Sequence, residues 1–156
     1  MNIVIKRCVV SLCTILFLIL SLSAGHAFLG GKFKTLKPKD GNLYIPLKDV
    51  DDGKAHYYKA KAADGIMVEF FVVKSPDGVI RAAVDACDVC YRSGKGYVQD
   101  GNVMICTNCG MRFFTGRIND VKGGCNPAPL NREVRGKNLV ISMADINVNS
   151  WYCEYK

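Results

Sequence analysis

From residue 43 onward the chain alternates short apolar runs with turn residues, and no stretch longer than about ten residues carries helical periodicity. The runs 43–47, 56–60, 66–73, 79–84, 97–99, 103–105, 112–114 and 138–143 predict strands, with 146–152 a candidate terminal strand. Asp51-Asp52-Gly53, Asp64-Gly65, Ser75-Pro76-Asp77-Gly78 and Asp100-Gly101-Asn102 predict the turns between them. In such turns Pro presets φ and Gly takes the left-handed conformation. Pro46 confines the first run to a sheet edge. Short strands punctuated this regularly predict an all-β sandwich or barrel.

The start of the chain has a different pattern. Lys6 and Arg7 precede the almost wholly apolar run 9–22, and small residues Gly25 and Ala27 follow it. Residues 1–27 therefore read as a signal peptide cleaved after Ala27, or as a retained membrane anchor helix. Either places the remainder in the periplasm or at the extracytoplasmic face of a membrane. Residues 28–42, rich in Gly, Lys and Pro, read as a linker, and residues 43–156 as one domain. The formal charge of +7 falls to +5 without Lys6 and Arg7, and no basic stripe with interleaved aromatics remains. That argues against nucleic acid as a partner.

Cysteine changes the picture most. Of eight, Cys8 and Cys13 lie in the apolar leader. Four others form two CxxC pairs, Cys87/Cys90 and Cys106/Cys109, separated by residues 91–105. That interval is long enough for a hairpin that folds the second pair back onto the first. Four soft thiolates in one place select zinc or an iron–sulfur cluster, and the spacing by itself favours structural zinc. A disulfide framework is a third reading for an exported chain, but a bridge within a CxxC pair closes a tiny loop and stabilises little. Covalent haem is excluded, because Tyr91 and Gly110 stand where a histidine would be needed. His56 is far from the cysteines in sequence and reads as a solvated strand residue. Cys125, in the loop Gly123-Gly124-Cys125-Asn126-Pro127, is a candidate fifth ligand, a lid over the centre, or a disulfide partner of Cys153. Tyr97, Phe113 and Phe114 read as core, and Arg92, Lys95 and Arg112 either as solubilising surface charges or as cations that offset thiolate charge. Nothing in the pattern predicts a small-molecule substrate pocket.

The stretch 43–130 resembles the FtrD-like family of bacterial membrane iron–sulfur proteins. The resemblance rests on Asp52-Gly53-Lys54-Ala55-His56, Phe70-Phe71-Val72, Asp85-Ala86-Cys87-Asp88-Val89-Cys90, Gly96-Tyr97, Cys106-Thr107-Asn108-Cys109-Gly110, Phe113 and Gly123-Gly124-Cys125-Asn126-Pro127. It implies an iron–sulfur cluster on Cys87, Cys90, Cys106 and Cys109 in place of zinc. It also implies a non-enzymatic electron carrier whose partners are redox proteins at the cytoplasmic membrane, an iron permease among the candidates. A more distant similarity is to the Rieske fold, which places two metal-binding hairpin loops under a Pro-rich loop. This chain offers cysteines only, where a Rieske centre uses two histidines. All-thiolate ligation makes a cluster more negative and lowers its potential, other things equal.

Overall fold

A computed structural model describes residues 31–156; the expected signal or anchor, 1–27, lies outside the described residues. Ten strands follow in chain order: β1 (Lys34–Thr35), β2 (Asn42–Pro46), β3 (His56–Lys61), β4 (Met67–Lys74), β5 (Ile80–Val84), β6 (Tyr97–Asp100), β7 (Val103–Cys106), β8 (Arg112–Phe114), β9 (Glu133–Arg135) and β10 (Asn138–Ser142). One short helix, α1 (Met143–Val148), comes next. The fold is all-β, as the alternating pattern predicts. The strands form three sheets, ordered β1-β3-β4-β5, β2-β10-β9 and β6-β7-β8. Pairing is antiparallel throughout except for β1, which runs parallel to β3.

The β1-β3-β4-β5 sheet is the middle layer. Successive strand residues point to opposite faces, and in β4 both faces are buried. Val68, Phe70 and Val72 enter a core with Leu43 and Ile45 of β2, Leu139 and Ile141 of β10, and Ile146 of α1. Phe71 and Val73 enter a second core with Tyr97, Met104, Cys87, Cys90 and Cys106. A continuous apolar run such as Phe70-Phe71-Val72-Val73 is what a strand covered on both sides requires. The metal-ligand candidates thus sit on the far side of the central sheet from the larger core.

Two expectations are corrected. The segment read as a linker joins the fold from residue 31: Lys34 and Thr35 pair with Tyr58 and Lys59, and the Leu36 amide donates to the Lys59 carbonyl at 2.8 Å. The candidate strand 146–152 is instead α1 followed by the 3-10 turn Ser150–Cys153. Ser142 caps α1, its side-chain oxygen accepting from the Asp145 amide at 3.1 Å. That contact satisfies one of the donors a helix start leaves open. Among the described residues, no helix is long and apolar enough to cross a membrane.

Candidate metal centre

The first pair sits on a loop that leaves β5. The Tyr91 amide donates to the Cys87 carbonyl at 3.1 Å, and the Cys90 amide donates to the Cys87 sulfur at 3.3 Å. Gly94, at φ +66°, reverses the chain toward β6. The second pair caps the β6-β7-β8 meander. Cys106 ends β7 opposite Tyr97, and the Gly110 amide donates to the Cys106 carbonyl at 2.8 Å. Gly110 holds φ +75°, the left-handed conformation that closes so tight a turn. The β6–β7 pairing extends one residue further, where the Gly96 carbonyl accepts the Thr107 amide at 3.0 Å.

The Pro-containing loop brings a fifth cysteine. Ala128 donates its amide to the Ala86 carbonyl at 3.0 Å and accepts the Val84 amide at 2.8 Å, so the loop runs beside β5. The Tyr97 hydroxyl, deeply buried, donates to the Cys125 carbonyl at 2.6 Å. The sulfurs fall into two close groups: Cys87, Cys90 and Cys125, and Cys90, Cys106 and Cys109. Within each group every sulfur lies within 4.8 Å of the others. Cys90 belongs to both. All six cysteines of the described residues are free thiols. The Cys125–Cys153 disulfide, left open by the sequence, is not formed. Cys153 lies in the other core, where its sulfur accepts the Glu69 amide at 3.3 Å.

Burial favours the neutral thiol at two of these crowded cysteines. Burial pushes Cys106 up to about 11 and raises Cys125 as well. Cys109, exposed at the tip, is lowered instead, chiefly by the backbone amide of Met111. The Asn108 side-chain amide donates to the Cys90 sulfur at 3.4 Å. Convergent sulfurs that accept N–H donors and lie near one another are a donor set for a soft cation, which would supply the charge that burial withholds. The residues present therefore fit a thiolate-bound metal or cluster.

Several supporting residues carry no signal in the spacing. Asp85, with a side chain only 1% exposed, accepts the Tyr97 amide at 2.8 Å and faces Lys156 at 3.1 Å and Lys32 at 3.2 Å. Burial raises its pKa, and the two lysines work against that. A Cβ on Gly96 would stand 2.1 Å from the Asp85 carboxylate, so only glycine fits. The Tyr152 hydroxyl donates to Asp88, inside the first CxxC turn, at 2.5 Å. The cue for Asp85 was its place: a charged residue at the end of an apolar strand, two positions before a ligand pair.

Tyr97 is fully buried and Phe113 half-buried, whereas Phe114 is exposed and not core. His56 stands in β3 with its Nε2 2.7 Å from Asp52, apart from the cysteines. Arg112 pairs with Asp100 at 2.7 Å, and Arg92 lies over the rings of Tyr91 and Tyr155. Those two cations are engaged elsewhere than at the sulfurs.

Comparison with known proteins gives three findings. No curated protein sequence matches the chain. Among solved structures, the crystal structure of the quaternary ammonium Rieske monooxygenase CntA in complex with inhibitor MMV12 is similar over 64% of this chain and 31% of that one, at 18% identity and a TM-score of 0.45. The sequence profile of the family described as membrane iron–sulfur containing protein, FtrD-like, matches residues 50–152. That match takes in both CxxC pairs and Cys125, and the chain belongs to the FtrD-like family of membrane iron–sulfur proteins.

Proposed function

We propose that this chain is an exported electron carrier whose iron–sulfur cluster is held by Cys87, Cys90, Cys106 and Cys109. The observation that carries the reading is the convergence of the two CxxC turns, remote in sequence, on one partly buried patch of sulfur shared through Cys90. Membership of an iron–sulfur family supports a cluster over zinc.

A cluster so held supplies one-electron redox chemistry, its potential set by N–H donors to the sulfurs and by exposure to solvent. The chain's own residues bury Cys87 and Cys106, donate from Asn108 and from the Cys90 amide, and leave Cys109 at the surface. The exposed tip is where a redox partner would approach. Residues 1–27 would deliver or tether the domain at the extracytoplasmic face of the cytoplasmic membrane. The electron would then serve a membrane redox system, iron uptake through a permease being the one the family suggests.

Anaerobic purification of the full chain tests this reading. The expected product is brown, absorbs in the visible, gives an electron paramagnetic resonance signal on reduction and contains iron with acid-labile sulfide. A colourless protein with one zinc per chain overturns it in favour of a structural module that presents a protein-binding surface.

A further inference from the structure

Five sulfurs, not four, meet at this site, and they do so in two groups. Cys87, Cys90 and Cys125 lie within 4.8 Å of one another, and so do Cys90, Cys106 and Cys109. Four thiolates saturate one tetrahedral ion. A fifth, brought in by a separate loop, needs its own reason.

That loop is built to hold its cysteine in place. The Tyr97 hydroxyl fixes the Cys125 carbonyl at 2.6 Å, the Asn126 amide and side chain both donate to the Gly123 carbonyl at 3.2 and 3.0 Å, and Ala128 bonds to Ala86 at 3.0 Å. Gly123 and Gly124 take positive φ in succession, +84° and +61°, immediately before the cysteine whose sulfur lies within 4.8 Å of those of Cys87 and Cys90. Tyr97 joins the two halves: it pairs with Cys106 across β6 and β7 while it holds Cys125.

We infer that the centre holds two metal ions, one at each group of three sulfurs, with Cys125 a ligand of the first and Cys90 the corner they share. Cys87 and Cys125 are terminal on one ion, and Cys106 and Cys109 on the other. Three thiolates would leave each ion one position for a further ligand. The inference rests on the reading of these cysteines as a metal centre. It does not depend on the metal being iron.

Counting ions therefore tests it independently of iron. The full chain is loaded with excess Cd2+, a thiolate-seeking probe, and the bound ions are counted by native mass spectrometry. The expected count is two Cd2+ in the wild type and in Cys153→Ser, and one in Cys125→Ser. One ion in the wild type overturns the inference, and that count stands even where a variant fails to fold. Two ions in a folded Cys125→Ser chain overturn Cys125 as a ligand. Iron and sulfide analysis of the protein as isolated bears on the electron-carrier proposal alone, so a chain that takes two Cd2+ but never carries iron sinks that proposal and leaves this one intact.

Discussion

The two CxxC turns have the same sequence spacing and are held by different physics. The first is clamped from outside. Asp88 within it accepts from Tyr152, Asp85 before it is buried against Lys156 and Lys32, and Gly94 after it packs against the Tyr155 carbonyl. Cys87 and Cys90 are accordingly buried. The second is a local device, a three-stranded meander whose tip closes on its own backbone and leaves Cys109 exposed. One pair depends on residues up to 71 positions away, the other on its nearest neighbours. A centre built across them is anchored at one end and accessible at the other, as the proposed electron carrier requires.

The largest effect expected from breaking this arrangement is at the sulfurs. Cys106→Ser removes a buried thiolate from the exposed-tip group, and it should abolish the visible absorption and lower the unfolding midpoint strongly, because metal binding energy is folding energy. Cys153→Ser, in the opposite core, should leave metal content unchanged. Retention of full metal by Cys106→Ser, read by absorption and elemental analysis, would place the ligands elsewhere.

Next comes the clamp on the first turn. Asp85→Ala leaves Lys156, whose side chain is 6% exposed, facing a hole where a carboxylate stood. Removing one partner of a buried pair costs about 3–5 kcal/mol. Glu69, 2.8 Å from Lys156, offsets part of that, so the lower figure is expected in urea unfolding. Gly96→Ala attacks the same contact from the other side. Its Cβ would overlap the Asp85 carboxylate at a φ of +68°, and a loss of roughly 2–3 kcal/mol is expected. Neither change touches the meander's own hydrogen bonds apart from the Tyr97 amide. If both variants unfold with wild-type midpoints, the two turns do not differ as described.

How much of this could be read from residues alone follows the same division. The meander was legible: Asp100-Gly101 marks its first turn, and apolar residues flank it. So was the two-sided burial of β4, written as an unbroken apolar run. The clamp was not. Lys32 lies in a Gly- and Lys-rich stretch that looks solvated, and tertiary partners order it: the Asp85 carboxylate, the Tyr97 carbonyl and the Tyr57 ring. Helix α1 is hidden in the sequence because Ile146-Asn147-Val148 mimics strand alternation. The better signal was Ser142 three residues before Asp145, a helix-start pattern. Cys125 could be singled out but not assigned, since sequence cannot tell a loop that covers a site from one that bridges to Cys153.

A milder test loosens the clamp without emptying it. Tyr152→Phe deletes the hydroxyl that grips Asp88 and keeps the ring stacked on Trp151 at 3.7 Å. The expected loss is about 1 kcal/mol, since Asp88 is exposed and water can replace the donor. The cluster should still assemble, with its absorption maxima displaced if the first turn shifts. An unchanged spectrum together with an unchanged midpoint would mean that the turn holds itself.

The smallest effect lies one step further back. The 3-10 turn that carries Tyr152 is pinned by Ser150, whose hydroxyl donates to the Asp64 carboxylate at 2.6 Å. That bond, with the Ile66 amide behind it, holds the Asp64 pKa below its ordinary 3.8. A carboxyl whose pKa is depressed on folding stabilises the fold above its unfolded value, and the contribution is lost as pH falls through the lower folded value. Ser150→Ala should therefore be less stable than the wild type at neutral pH, and the gap should narrow as the pH drops below 3.8. Because Asp64 is at the surface, the gap is small and should shrink further in high salt. Thermal unfolding of both chains between pH 3 and 7 measures it, and a gap that widens toward acid would show that Ser150 acts through its packing and not through Asp64.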